Sequence, residues 1–246
     1  MSRVFYDLHL HSCLSPCGDN DMTPNNIVNM ALLSELDMIA LTDHNTCKNC
    51  RAAVEIGRRE GLCVVPGMEL TTSEEIHVVC LFPTADAAEA FSDYVAAHSP
   101  PIKNKPQIFG DQLILNESDE IIGREERLLI TASDIPMGRA AALARSFGGA
   151  AFPAHIDRSS YSVLSVLGAF PQDAGFFAAE ITARGDLKTL KAQNPALGSL
   201  ILLRDSDAHY LENMGWRQPN ITLPDCSAQS LIAALRGEFP AAFQWG

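Results

Sequence analysis

Val4-Phe5-Tyr6-Asp7-Leu8-His9-Leu10-His11-Ser12 is the stretch on which the fold turns. It is an apolar run that closes on two histidines one residue apart. Alternate side chains of an extended strand share a face, so His9 and His11 can point at one metal ion. A lone pair of this kind is weak evidence, because two ordinary histidines at the end of a half-buried strand fit the same text.

The pattern recurs along the chain. Short apolar runs lie at Val4 to Leu10, Met38 to Leu41, Leu62 to Val65, Ile76 to Phe82, Ala150 to Phe152, Phe176 to Ile181 and Leu200 to Leu203, which makes seven expected strands. Helix signals lie between several of them. Thr23-Pro24 is a cap and first-turn pair ahead of Ile27, Val28, Ala31 and Leu32 at helical spacing. Asp134 and Pro136 open a segment that stops at Gly148-Gly149, and Ser227 opens another ending near Gly237. Strands and helices in alternation predict an α/β fold with parallel strands and crossover helices. The stretch from Pro100 to Leu129 departs from the alternation. Gln107 to Leu115 and Glu120 to Leu129 read as two strands around the turn Asn116-Glu117-Ser118-Asp119, a hairpin inserted around 105–130. A packed surface hairpin is the expectation, a flap over the site the alternative. With 246 residues and no repeat or low-complexity tract, one domain over 1–246 is expected.

The ends of the runs carry the chemistry. Thr42-Asp43-His44 follows the second run, Gly67-Met68-Glu69 the third, and His77 lies in the fourth. His155 closes Ala151-Phe-Pro-Ala-His155, and Asp207-Ala-His209 follows the last run. Six of the seven histidines, all but His98, sit in or beside expected strands. A strand-helix barrel gathers such strand ends into one mouth. Mixed imidazole and carboxylate donors suit zinc, manganese or iron. The eight candidate ligands His9, His11, His44, Glu69, His77, His155, Asp207 and His209 exceed what one tetrahedral ion needs, so two or three divalent ions are expected. Paired ions activate water at neutral pH and neutralise charge on a phosphoryl group, which points to phosphate ester hydrolysis. The same centre could serve carbon-nitrogen bond hydrolysis.

The order of these motifs, His-x-His, Thr-Asp-His, Gly-x-Glu with a following histidine, Ala-His and Ser-Asp-Ala-His, resembles that of the PHP (polymerase and histidinol phosphatase) superfamily over roughly Tyr6 to Tyr210. The resemblance implies a distorted seven-stranded (β/α)7, TIM-like barrel binding up to three metals. It implies that His9, His11, Glu69 and Asp207 surround one ion, that Glu69 bridges to a second held by His77 and His155, and that His44 and His209 hold a third. In the implied mechanism a hydroxide bridging two ions attacks phosphorus, with Asp207 or a neighbouring histidine assisting proton transfer. The implied activities include histidinol phosphate phosphatase, nucleotide and cyclic-phosphate hydrolysis, and 5' to 3' exonuclease action on short RNA.

One departure concerns the third ion. Where many relatives have Ser-Asp-Gly or another histidine, this chain reads Ser15-Pro16-Cys17-Gly18-Asp19-Asn20-Asp21, so Asp19, with Cys17 second, is the expected substitute ligand. Cys13, Cys17, Cys47 and Cys50 follow the first two histidine motifs; buried free thiols are the expectation and a structural zinc the alternative. Arg158, three residues beyond His155, is the expected phosphate-binding cation, followed by Arg184. Asp43 is expected to orient a ligand rather than bind metal.

Composition narrows the field. Hydrophobic residues at 47% and charged residues at 20% describe a globular chain with a substantial core. A net charge of −12 argues against extended nucleic-acid or membrane binding and favours a small phosphorylated molecule or a nucleotide end. A cytoplasmic location is expected from the absence of a secretory signal at the start of the sequence. There is no Walker-type phosphate loop, dinucleotide fingerprint or Gly-x-Ser-x-Gly elbow. The expected protein is a metal-dependent phosphoesterase. The alternatives are a metal-binding module without catalysis and a metal-dependent amidohydrolase.

Overall fold

The computed structural model describes residues 1–215, 217 and 219–244. The first half of the chain lays down β1 (Ser2–Leu10), α1 (Pro24–Leu33), β2 (Met38–Leu41), α2 (Cys50–Glu60), β3 (Cys63–Thr71), β4 (His77–Leu81) and α3 (Ala85–Ala97). An excursion follows: α4 (Pro106–Phe109), β5 (Leu113–Leu115) and β6 (Ile121–Arg124). The rest supplies α5 (Met137–Ser146), β7 (Ala150–Pro153), α6 (Val163–Leu167), β8 (Ala178–Ile181), α7 (Leu187–Gln193), β9 (Ile201–Arg204), β10 (Asn220–Leu223), α8 (Ala228–Leu235) and β11 (Ala242–Gln244). The seven apolar runs correspond to β1 to β4 and β7 to β9.

The fold is α/β. A seven-stranded sheet in the order β11-β10-β1-β2-β3-β4-β7 curls into an open half-barrel, and β8 and β9 form a separate parallel pair. Backbone hydrogen bonds tie that pair and the chain beyond it to the segments that follow β7 and β1. The Ile156 amide donates to the Glu180 carbonyl at 2.8 Å, and the His11 amide donates to the Ala208 carbonyl at 3.0 Å.

Two features depart from regular strand-helix alternation. β4 runs antiparallel to both β3 and β7, because the link from Thr71 to His77 is a tight turn closed by the Thr72 amide on the Ile76 carbonyl, 3.0 Å. A parallel crossover needs a dozen or more residues, so so short a link forces the chain back on itself. At the other edge β10 and β11 add antiparallel strands beside β1 that the periodicity did not reveal.

Side chains alternate across the strands. Val4, Tyr6 and Leu8 of β1 pack inward with Met38, Ala40, Val65, Val79, Phe152, Ala178 and Leu203, so β1 to β4 and β7 to β9 all contribute to one interior cluster. Leu231, Ile232 and Leu235 of α8 pack into the same cluster. The opposite faces, including Leu10, Ile39, Leu41 and Val64, meet α1, α2, α3 and α5 in a second cluster.

The helix signals act as expected in two cases. Thr23 caps α1 by accepting from the Asn26 amide, with Pro24 in the first turn, and Ser227 caps α8 through the Ser230 amide. The third needs correction, since α5 is preceded by Pro136 with no side-chain cap, while Asp134 pairs with His98 at 2.7 Å. The inserted hairpin exists, but its strands are shorter than expected. It is packed: Leu113 and Leu115 are buried against Cys13, and the Asn49 side chain bonds the Leu113 carbonyl and the Leu115 amide. Among the described residues no helix is long and apolar enough to cross a membrane.

Candidate metal centre

The first histidine pair is aimed by an irregularity in β1. Against β2 its register slips between Asp7 and Leu10, a bulge that inserts one extra residue. The amides freed from the ladder find side-chain acceptors, Leu8 on Asp205 at 2.6 Å and Leu10 on Thr42 at 3.1 Å. His9 and His11, both fully buried, then bring their Nε2 atoms within 3.2 Å of each other. Other strand ends also turn sharply: Asn45, His155 and Asp207 take left-handed backbone conformations, with φ of 52°, 29° and 51°.

Glu69, buried within β3, is the hub. Its Oε1 lies 3.3 Å from His9 Nε2, 2.8 Å from His77 Nδ1 and 3.2 Å from His155 Nε2. Its Oε2 lies 3.2 Å from His11 Nε2 and 3.0 Å from His44 Nδ1. Asp207 Oδ1 reaches the Nε2 atoms of His9 and His11 at 3.4 and 3.2 Å. Three groups of donor atoms result: His9, His11, Glu69 and Asp207; His44, Glu69 and His77; and His11, His44 and His209.

Hydrogen bonding on the far side of each ring says which nitrogen faces inward. His9 Nδ1 donates to Glu180 Oε2 at 2.7 Å, which leaves a lone pair on Nε2. The Ser15 hydroxyl spends its proton on Asp43 at 2.7 Å, so at 2.9 Å it can only accept from His11 Nδ1. His209 Nδ1 donates to the Asp207 carbonyl at 2.8 Å. The three rings thus keep Nε2 lone pairs, and those of His9 and His11 face Glu69 and Asp207. The facing Nε2 atoms of His9 and His11 cannot hydrogen-bond one another as neutral rings, and buried Asp207 Oδ1 has no aligned donor. Donors bound to one ion at about 2.0–2.2 Å sit roughly 3.0–3.5 Å apart. The spacings match that geometry, and the donor set fits divalent metal ions.

The electrostatics agree. Burial works to lower the His9 pKa, but Glu180, Asp207 and Glu69 outweigh it and hold the ring well above its ordinary value. Burial likewise opposes protonation of His11, yet Asp207 and Glu69 lift it to about 9; His44 is lifted to about 9 chiefly by Glu69. Glu69 and Asp207 are held below the carboxylate range against the cost of burial, by the imidazoles around them. The cavity therefore draws positive charge, which protons supply when metal does not.

Several supporting residues escaped the sequence reading. Glu180, an acid inside the buried strand β8, orients His9, a type of contact worth about 10–100-fold in metal affinity. A carboxylate in an otherwise apolar strand was the available signal. Ser15 bridges His11, Asp43 and the His44 amide, and nothing in its local text marks it. Asp43 behaves as expected, accepting from the Ser12 amide and hydroxyl and from Ser15.

Asp19 is not among the converging groups of the described residues: its carboxylate accepts the Asp21 amide at 2.8 Å, the local turn favoured by a short acid, while its own amide anchors on the His209 carbonyl. Cys17 is the loop residue whose side chain bears on a site ring, helping to raise the His44 pKa. The four cysteines do not meet. Cys47 and Cys50 are buried with their thiols on the Gly67 carbonyl, Cys13 packs under the hairpin and Cys17 is exposed. Arg158 lies beside the donor groups, its Nη2 2.7 Å from Asp207 Oδ2 and its side chain 47% exposed. Arg184 is exposed in the turn after β8.

No protein-family model matches the chain. The chain is similar to the 5'-3' exoribonuclease Rnm of Salmonella typhimurium, 33% identical over 45% of this chain and 38% of that protein. Its fold matches the lesion-specific endonuclease PfuEndoQ of Pyrococcus furiosus, with a TM-score of 0.72 and 18% identity over 98% of this chain and 58% of that one. A protein of Bifidobacterium adolescentis named as a metal-dependent phosphoesterase superposes with a TM-score of 0.59 and 17% identity over 93% of this chain and 95% of its own. The matched region spans well under half of the exoribonuclease. With these likenesses, the resemblance of the chain to the PHP superfamily holds.

Proposed function

We propose that this chain is a metal-dependent phosphoesterase that hydrolyses the phosphate ester at a nucleotide or nucleic-acid end. The observation that carries the proposal is the convergence of six histidines, Glu69 and Asp207 from separate strands on one buried cavity, with Arg158 at its edge. Two or three divalent ions held there would lower the pKa of a water and neutralise charge on the phosphoryl oxygens. The reading takes residues 1–246 as one domain and β1 to β4 with β7 to β9 as a distorted seven-stranded barrel.

The chain's own groups divide the remaining work. Glu69 and Asp207 supply the negative charge that retains cations, with His9 and His11 beside them. His77 and His155 extend the set on one side of Glu69, and His44 and His209 on the other. Arg158 keeps part of its guanidinium fork free of Asp207 to grip phosphoryl oxygens. Asp207, next to that grip, is placed to take or return a proton.

The expected small-molecule preference shifts with the comparisons. Relatives named as an exoribonuclease and a lesion-specific endonuclease favour a nucleic-acid substrate, and the exoribonuclease favours its end, despite the net charge of −12. A short end needs only local cations and metals, which the cavity edge supplies.

Metal content by mass spectrometry, coupled to phosphate release from sugar phosphates, nucleotides and short oligonucleotides, tests the reading, with His9→Ala as control. Two or three ions per chain and metal-dependent turnover lost in the variant are expected. Bound metal without turnover on any phosphate ester would reject catalysis in favour of a binding module, and turnover of amides instead would indicate an amidohydrolase.

A further inference from the structure

Tyr161 stands at the rim of the cavity in an unusual state. Its ring stacks on His77, with centroids 4.7 Å apart and planes 23° from parallel, yet the residue is 48% exposed. A site histidine stacks on the ring while about half of the residue stays exposed to solvent. Its backbone is left-handed, with φ of 55°, a conformation bulky residues rarely adopt and one that persists only where the surroundings over-determine it.

Those surroundings are rigid. The Tyr161 carbonyl accepts the His77 amide at 2.9 Å. Ser162 donates its hydroxyl to the Arg158 carbonyl at 2.7 Å, and the Arg158 amide returns to the His155 carbonyl at 2.9 Å. At the base of the turn Asp157 accepts the Thr182 amide and hydroxyl at 2.8 and 2.6 Å. A single braced turn thus carries a guanidinium beside Asp207 and, three residues on, an aromatic plate over His77. Cation plus plate beside a metal-binding cavity is the pairing that recognises a phosphate and the flat base attached to it.

We propose that Tyr161 is a specificity-determining residue that stacks the nucleobase of a nucleotide whose phosphate lies between Arg158 and the metal centre. The proposal rests on the phosphate-ester reading above. In a chain of net charge −12, long-range attraction does not concentrate nucleotides, so a stacking contact would add to the affinity that Arg158 and the metal centre supply locally. Stacking is tolerant of base identity, because every base offers a flat face.

The test compares adenosine 5'-monophosphate with ribose 5-phosphate, which keeps the sugar and phosphate and lacks the base. Binding to the metal-loaded protein is measured by calorimetry for the wild type, Tyr161→Ala and Tyr161→Phe. The wild type is expected to bind the nucleotide about 10- to 100-fold tighter. Tyr161→Ala should erase that preference while leaving ribose 5-phosphate unchanged, and Tyr161→Phe should keep it. Equal binding of the two ligands by the wild type, a preference that survives in Tyr161→Ala, or an equal loss for both ligands overturns the proposal, the last showing that Tyr161 merely supports His77. Failure of the phosphoesterase reading is distinct: the base preference would be seen without phosphate release from any ester.

Discussion

The donor group around His9, His11, Glu69 and Asp207 and the group of His11, His44 and His209 share a ring yet differ in kind. The first is entirely buried and balances two imidazoles with two carboxylates. The second has three imidazoles and no carboxylate, and His209 is partly exposed. Burial and the neighbouring His11 push the His209 pKa down to about 3, whereas His11, facing the acids, sits at about 9. Within the second group His44, beside Glu69, is also raised to about 9, so His209 alone resists positive charge. The placement of carboxylates, rather than the number of histidines, would then set how firmly an ion is held at each group.

The largest effect should separate the two ends. Asp207→Asn removes charge from the buried group and is expected to lose more than the ~100-fold in metal affinity typical of a lost supporting contact, with turnover falling in step. His209→Ala should cost only the weakest ion and roughly 10-fold in turnover. Ions counted by mass spectrometry on both variants check this, and an equal loss would erase the distinction between the ends.

A smaller effect should appear with pH in the metal-free protein. The His11 and His44 pKa values are raised to about 9 from an unfolded value near 6.5. Their stabilising contribution is therefore full below pH 6.5 and lost as pH rises toward 9. His209, lowered to about 3, acts in the opposite sense and removes stability as pH falls from 6.5 toward 3. Metal competes with protons for the same nitrogens, so the gain in Tm on adding metal should grow between pH 6.5 and 9. Thermal melts with and without chelator read it, and a metal-free Tm flat over that window contradicts it.

The smallest effect is expected at Asp19. Asp19→Ala removes a turn contact with the Asp21 amide and leaves the backbone bond to His209 in place. Ion count should not change, and turnover should stay within about twofold. Loss of an ion would restore Asp19 as a ligand and strengthen the weaker end.

Much of this organisation is legible in the sequence. The seven apolar runs are strands, and all eight expected ligand residues gather around the cavity, because period-two alternation and polar run endings are local signals. Three things are not local. The reversal of β4 depends on a short link whose consequence appears only once β3 and β7 are placed beside it. The role of Glu180 depends on an opposing His9 171 positions away, and that of Ser15 on a three-way contact with Asp43 and His11. Asp19 stands outside the donor groups, and its text alone does not tell, because a short acid in a turn reads the same whether it holds a metal or the next amide.

The bond between the His11 amide and the Ala208 carbonyl has a bearing on how the protein is made. β1 receives its neighbours from both ends of the chain, β2 early and the Ala208 segment and β10 late. Ribosomes add about 5–20 residues per second, so His9 and His11 wait roughly 10–40 s for Asp207 and His209 to be synthesised. During that interval only the group of His44, Glu69 and His77 can be complete, and an ion that needs Asp207 or His209 would load late, once the last strands close.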